Sequence, residues 1–520
     1  MSSAETGTAR SGRGRRGQPH GGQRRRADPA RRAAFDVLTA VAERDAYANL
    51  LLPALLRERG LTGRDAALAT ELAHGVLRAQ GAYDAIIAIC SDRDLDRVDL
   101  PLHQVLRLGT HQLLATRIGA HAAVATSVDL ARDVAGPRPA GFVNAVLRRV
   151  ATRDLESWLE IAAPPRDRDL VGHLSVRYSH PRWIVTALSE ALGDDPASGL
   201  AETEAVLAAD GERPQVNLCA VPGRAGQQEL VASGATAARW SPFGAYLAEG
   251  DPGRIAAVAE GRAAVQDEAS QLAALALARA GASGAVAGGA GAAEAGRDRA
   301  GRDRAGRDSA GRDSAGRDSA GRDGTGAVWL DTCAGPGGKA RLLAGLAQDR
   351  GARLLAADLR LHRARLCRGA IGGTAGTGVV VADGTAPAWR PGAFARVLAD
   401  VPCSGLGALR RRAEVRWRRS PGDVAALGPL QRALLAAALD SAAPGGVVAY
   451  VTCSPHLAET RDVVTGVLAG RDDVLVLDAP GTLPEVPGLR CPDPHGAFAQ
   501  FWPHRHGTDA IFLALLQRRG

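Results

Sequence analysis

At 520 residues with a formal net charge of +8, the chain is too long for one ordinary domain, and typical domain sizes give roughly two to four units. The charge favours a polyanionic partner, nucleic acid before any other, and is silent about fold. Seven scattered cysteines without a CxxC pair or a Cys/His cluster argue against a disulfide framework and against a metal site.

Residues 1–29 are rich in Gly, Arg, Gln and Pro, with nine arginines among the first 32 positions, and read as a disordered basic tail. They contain no apolar core of a signal peptide. No later stretch reaches the roughly 18 apolar residues of a membrane span, so a cytoplasmic protein with no membrane partner is expected.

Residues 30–155 carry helical spacing throughout. Ala34, Val37, Leu38 and Val41 fall at i, i+3, i+4 and i+7, and Ala69, Leu72, Ala73 and Val76 repeat the pattern. Gly60, Gly63, Pro101 and Gly136-Pro137 punctuate the runs, which predicts an all-α bundle of six or seven helices. Residues 156–260 are less regular and read as a small α+β module with short apolar runs at 214–220 and 244–247.

Residues 261–520 form the third unit, interrupted at 281–326. There Gly-Arg-Asp recurs six times at a five-residue period from Gly296 to Gly321, a period that fits neither helix nor strand. With almost nothing large and apolar to bury, the segment is expected to be a flexible insertion and a spacer. Beyond it, apolar runs at 327–330, 353–357, 378–382, 396–399, 447–451, 474–477 and 510–516 alternate with helical stretches. That alternation predicts a doubly wound parallel sheet, with the last two runs antiparallel at one edge.

The first four of these strands each end on an acid: Asp331, Asp358, Asp383 and Asp400. Ligands in open α/β sheets bind at the carboxyl ends of the strands, so four acids delivered there line one crevice. The loop after the first strand, Cys333-Ala334-Gly335-Pro336-Gly337-Gly338-Lys339, matches neither a Walker A loop nor GxGxxG. Its glycines allow close backbone approach, the following helix start offers amides to a carboxylate, and Asp358 is placed to accept ribose hydroxyls. Lys339 is the sole lysine of the chain.

Cys403, in Asp400-Val401-Pro402-Cys403-Ser404-Gly405, and Cys453, in Thr452-Cys453-Ser454, follow the fourth and fifth strands and should face the same crevice. Cys90, Cys219, Cys367 and Cys491 read as small hydrophobes. A thiolate beside a methyl donor suits covalent catalysis on a pyrimidine, because adding sulfur at carbon 6 makes carbon 5 nucleophilic. The target base must be single-stranded or splayed from its helix. This chemistry does not rank Cys403 against Cys453.

These motifs resemble the RNA 5-methylcytosine methyltransferases, and among them the bacterial ribosomal RNA enzymes of the RsmB (Sun, Fmu) type. The likeness lies in Cys333 to Lys339, Asp400 to Gly405, Tyr450 to Ser454 and Val265-Gln266-Asp267-Glu268-Ala269-Ser270. The helical region, through Gly141 to Arg149, resembles the NusB-like RNA-binding domain of those enzymes. The resemblance implies a C-terminal Rossmann-like domain that binds S-adenosylmethionine through Cys333 to Lys339, Asp358, Asp383 and Asp400. It implies Cys453 as nucleophile and Cys403 as the residue that helps release product. It also implies small-subunit ribosomal RNA as substrate, with a monomeric enzyme expected; transfer RNA, or an inactive RNA-binding assembly factor, are the alternatives. Three departures stand out: Gly335 and Val401 where the family usually has Ala, and Gly507 to Phe512 in place of a Gly-Phe-Phe ending. All three are expected to lie away from charged contacts.

Overall fold

The computed structural model describes residues 27–193, 196–281, 326–493 and 495–520. Nearly all of the expected basic tail (1–26) and of the Gly-Arg-Asp insertion (282–325) lies outside the described residues.

The amino-terminal helices are α1 (Pro29–Arg44), α2 (Ala48–Glu58), α3 (Gly63–Ser91), α4 (Leu100–Ala115), α5 (Ala120–Ala135) and α6 (Ala140–Val150). Helix α1 starts where the Asp28 carboxylate accepts the Arg31 N–H at 3.0 Å and Pro29 supplies a preset first turn. Both periodic sets are buried: Ala34, Val37, Leu38, Val41, Leu72, Ala73 and Val76 in one core with Val105, Leu106, Val143 and Leu147, and Ala69 in a small cluster with Ala30 and Ala33. Each buried leucine there contributes about 1.5–3 kcal/mol.

Four more helices follow: α7 (Leu155–Ala162), α8 (Leu170–Arg177), α9 (Arg182–Leu192) and α10 (Pro196–Gly211). The first half of the expected α+β module is thus entirely helical. Its sheet comprises β1 (Val216–Ala220), β2 (Thr236–Ala237), β3 (Gly244–Leu247) and β4 (Ala263–Val265), in the order β2-β3-β1-β4, with short helices α11 (Gln227–Ala232) and α12 (Ala256–Ala259). Because Leu218 pairs with Val265 and Ala220 with Ala263, the module runs to residue 265, past the expected boundary at 260. A three-residue strand is too short to declare itself by alternation.

Helix α13 (Glu268–Arg279) leads into the large sheet: β5 (Val328–Asp331), α14 (Gly338–Asp349), β6 (Arg353–Asp358), α15 (Leu361–Ile371), β7 (Thr377–Val381), β8 (Phe394–Asp400), α16 (Val415–Arg418), α17 (Pro421–Ser441), β9 (Ala442–Thr452), α18 (Arg461–Leu468), β10 (Val474–Leu477), β11 (Ala499–Gln500), α19 (Pro503–His506) and β12 (Phe512–Arg518). The strand order is β10-β12-β9-β8-β5-β6-β7, with β11 against β12. Strands β5 to β9 pair in parallel, and β12 runs antiparallel between β9 and β10. Alternate residues feed two cores: Trp329, Leu398, Val451 and Leu513 on the side of α13 and α14, and Leu330, Val397, Tyr450 and Phe512 on the side of α17 and α18. The chain winds outward from β5 in both directions, so a crevice opens at the carboxyl end of β5. Among the described residues no helix is long and apolar enough to cross a membrane.

Candidate active site

Three of the four strand-end acids meet in this crevice. Asp331, Asp358 and Asp400 are the last residues of β5, β6 and β8, and they lie close enough that the charges of Asp400 and Asp358 act on Asp331. Burial, reinforced by Asp400, pushes the Asp331 carboxyl up to about 8, so it holds its proton at neutral pH. Asp383 sits differently. It lies two residues past the end of β7 and is exposed, and its carboxylate accepts the Thr385 N–H (2.9 Å) and hydroxyl (2.7 Å), which hold its pKa below the ordinary value. It is a rim residue beside the buried Asp331 and Asp358 and the half-buried Asp400.

Lys339 extends from α14 to Asp400, with Nζ 2.8 Å from Oδ2. Burial disfavours its ammonium, but Asp400 outweighs that cost and its pKa lies above the ordinary value. In the loop before α14, Gly337 has φ 108°, a left-handed conformation that a side chain resists, and a Cβ there would press on Ala370 at 2.5 Å. Asp358 Oδ2 accepts the Gly335 N–H at 3.0 Å and Arg363 Nε at 3.2 Å, and Oδ1 accepts the Arg360 N–H at 2.9 Å. Gln266 Nε2 is buried without a partner, 3.9 Å from where a Gly338 Cβ would stand.

The two cysteines meet. Cys403 Sγ and Cys453 Sγ are 3.0 Å apart, both half-buried, one on the loop after β8 and one on the loop after β9. The hydrogen bond between the two sulfurs lowers the Cys453 pKa against the effects of burial and Asp400, with help from Lys339 and Arg412. The same hydrogen bond and burial drive Cys403 well above its ordinary value. Burial pushes Cys219, Cys333, Cys367 and Cys491 up to about 12 and raises Cys90 as well. Cys453 alone among the seven thiols is shifted toward the thiolate, the form that attacks carbon.

Several residues that build the site carry no sequence signal of their own. Glu459, fully buried, accepts the Ser404 N–H at 2.7 Å and the Ser404 hydroxyl, and Gln431 Nε2 donates to it at 3.2 Å and to the Pro402 carbonyl at 2.9 Å. Ser404 Oγ in turn lies 3.3 Å from Ser454 Oγ, so one carboxylate ties the two cysteine loops together. Gly407 N donates to the Cys453 carbonyl at 2.9 Å, and a Cβ at Gly407 would overlap the Ala510 carbonyl oxygen. Arg410 and Arg411 belong to an arginine run that reads in sequence as a solvated face, yet they are drawn inward. Asp509 pairs with both, and Arg410 also pairs with Asp267 at 3.1 Å. Burial and the neighbouring Asp509 push Asp267 up to about 6.

Two of the three family departures therefore touch charged groups, contrary to expectation. A Cβ on Gly335 would lie 2.5 Å from Asp358 Oδ2 and 2.6 Å from the Arg363 Cβ, so Arg363 fills the space that an alanine would need. The substituted carboxy-terminal segment supplies Asp509, the buried partner of both arginines. Val401 conforms, being buried among apolar neighbours.

Known proteins align with this architecture from end to end. Residues 322–517 match the family 16S rRNA methyltransferase RsmB/F, and residues 28–152 match the NusB family. A Mycobacterium tuberculosis protein (strain H37Rv), which carries a provisional methyltransferase name, is 48% identical over 96% of this chain and 98% of its own. Ribosomal RNA small subunit methyltransferase B of Pseudomonas syringae is 32% identical over 94% and 96%. The crystal structure of PH0851 superposes with a TM-score of 0.69 at 19% identity, covering 95% of this chain and 99% of that one, which shows a shared fold. The chain, an amino-terminal NusB domain joined to a methyltransferase domain, belongs to the 16S rRNA methyltransferase RsmB/F family.

Proposed function

We propose that the protein transfers a methyl group from S-adenosylmethionine to carbon 5 of a cytidine in small-subunit ribosomal RNA, with Cys453 as the attacking nucleophile. The observation that carries this reading is the Cys403–Cys453 pair, which holds one thiol as hydrogen-bond donor and favours the other as thiolate beside Lys339 and Asp400. The relative in Pseudomonas syringae is named for the same class of substrate.

The donor fits the loop of residues 333–339. The α14 amino terminus suits its carboxylate, and the unpartnered Gln266 Nε2 beside Gly338 offers a further donor. A carboxylate has about four acceptor sites. Three of those on Asp358 are occupied, so accepting both ribose hydroxyls requires the Arg363 guanidinium to swing aside; its side chain is 44% exposed. Bound there, S-adenosylmethionine supplies the electrophilic methyl group. Asp383 serves at the rim.

Cys453 adds to carbon 6 of the cytosine, which makes carbon 5 the nucleophile for the methyl group. The carbon 5 proton then leaves and the Cys453–carbon bond breaks, returning the thiolate. Cys403, protonated and in contact with Cys453, is placed to serve this release. Protonated Asp331 and the Lys339–Asp400 pair fix the charge of the crevice floor. Incubating the protein with radiolabelled S-adenosylmethionine and, in parallel, small-subunit ribosomal RNA or transfer RNA tests the reading. Label in 5-methylcytidine supports it; label confined to transfer RNA, or none, overturns it.

A further inference from the structure

A second feature adjoins the crevice without belonging to it. A cavity of about 410 Å³ opens where three parts of the chain meet: α2 and α3 of the NusB domain, the start of β1, and the Arg410-Arg411 turn. Arg411 is shared, since it lines this cavity and its charge is felt by Cys453. That volume falls in the range that holds a small organic ligand.

Four arginines line the cavity: Arg78, Arg213, Arg410 and Arg411. Asp267 and Asp509 neutralise Arg410 and Arg411. Arg78 and Arg213 are different, for no carboxylate lies within ion-pair distance of either guanidinium among the described residues, and neither donates a side-chain hydrogen bond. Burial lowers the Arg78 pKa against the opposing pull of the Glu71 carboxylate, and the neighbouring Arg213 lowers it further. Burial and the same two arginines hold His74, also on the wall, down at about 4 and therefore neutral. Glu71, on the same wall and 3.5 Å from His111 Nε2, offsets part of this charge, but four arginines face only two carboxylates, Glu71 and Asp267, across the lining, and the remaining positive charge suits an anion. Asn217 adds a second unmet demand: the residue is buried, lines the cavity, and its Oδ1 has no partner.

We propose that this cavity binds one nucleotide of the RNA strand beside the methylated base, with its phosphate between Arg78 and Arg213 and the edge of its base against the Asn217 amide. The proposal rests on RNA being the substrate. The phosphate is the group that answers two unpaired guanidiniums. The base meets a polar atom that wants a donor, with Val265, over half exposed, and Pro214 as apolar walls. The position explains why a NusB domain and a methyltransferase domain share one chain: the strand is gripped by α3 at a point that shares Arg411 with the catalytic crevice.

The test uses the full chain and a single-stranded oligoribocytidine. Binding is followed by fluorescence anisotropy across a salt series for wild type, R78Q/R213Q, R213Q alone, and R353Q/R519Q, a charge-matched control at the amino-terminal ends of the parallel strands. Losing one single-stranded phosphate contact should reduce the salt slope by about 0.7 and weaken binding about tenfold in the double variant. KM for RNA should rise with kcat and S-adenosylmethionine affinity unchanged. R213Q, altering an exposed side chain, should show part of the same loss even if R78Q perturbs folding. Unchanged slope and affinity in both variants, or a loss equal to that of R353Q/R519Q, overturns the nucleotide site while wild-type methylation still upholds the reaction. A wild type that neither binds nor methylates RNA overturns both.

Discussion

The crevice at the carboxyl ends of the sheet and the junction built by α16 are both rich in buried charge, and they treat it in opposite ways. At the junction Arg416 is fully buried, and its guanidinium donates to the carbonyls of Arg78 (2.8 Å), Asp210 (2.7 Å) and Ser179 (3.3 Å). Arg418 donates to the carbonyls of Val41 (2.9 Å) and Asp45 (3.0 Å), and Glu414 accepts the Ala48 N–H at 3.2 Å. The terminal guanidinium nitrogens there are taken up by the protein's own backbone, while Arg416 Nε and Arg418 Nε stay buried without a hydrogen bond among the described residues, and the carbonyl contacts lock the NusB domain to the segment that follows Cys403. In the crevice, by contrast, Asp331 is kept protonated, Cys453 is kept toward the thiolate, and Gln266 has a buried donor without a partner. Charge met by backbone carbonyls builds rigidity, and perturbed ionisable groups gathered in one crevice mark where a ligand belongs.

Five substitutions test that contrast. Cys453→Ala should lower methyl transfer at least about a thousandfold and prevent any covalent RNA adduct, whereas Cys403→Ala should accumulate an adduct that survives denaturing gels. An adduct formed by the Cys453 variant and not by the Cys403 variant would exchange the two roles. Gly407→Ala should destabilise the protein by about 3 kcal/mol, measured by urea unfolding, because its Cβ would meet the fixed Ala510 carbonyl rather than a side chain that can turn away. Arg416→Met should cost about 2 kcal/mol by the same measurement, since it strips a donor from three carbonyls. A Cys453-like loss of activity with full stability in this variant would show that the junction is not merely structural. The smallest effect at neutral pH is that of Asp331→Asn. Its folded pKa of about 8 lies above the ordinary 3.8, so the native state keeps a proton that the unfolded chain has lost. Stability therefore declines as pH rises from about 4 to about 8, and the asparagine variant should flatten that decline in urea midpoints measured across the window. An unchanged slope would place the proton elsewhere.

Much of this was legible beforehand, for identifiable reasons. Period and punctuation located the bundle, because the buried face of a helix recurs every 3.6 residues and Val37, Leu38, Leu72 and Val76 obey that spacing. Strand-end acids located the crevice, because a parallel sheet delivers all its carboxyl ends to one side. The short strand Ala263–Val265 and the helices of residues 155–211 were misjudged, since three residues carry no period and an irregular pattern hides amphipathic faces.

What the sequence by itself determined was therefore the list of parts: a glycine-rich loop, acids at strand ends, two cysteines after adjacent strands, and a helical domain before them. Only the tertiary structure decided how those parts are charged. It brought the Cys403 and Cys453 sulfurs within 3.0 Å of each other, left Asp383 at the rim, and brought Glu459 to bind both cysteine loops. It turned Arg411 inward onto Asp509 and left Arg78 and Arg213, among the described residues, with no carboxylate within ion-pair distance. The reason is physical: spacing along a chain predicts which way a residue faces, but the ionisation of a buried group depends on its burial and on charges within a few ångströms, most of them far away in sequence.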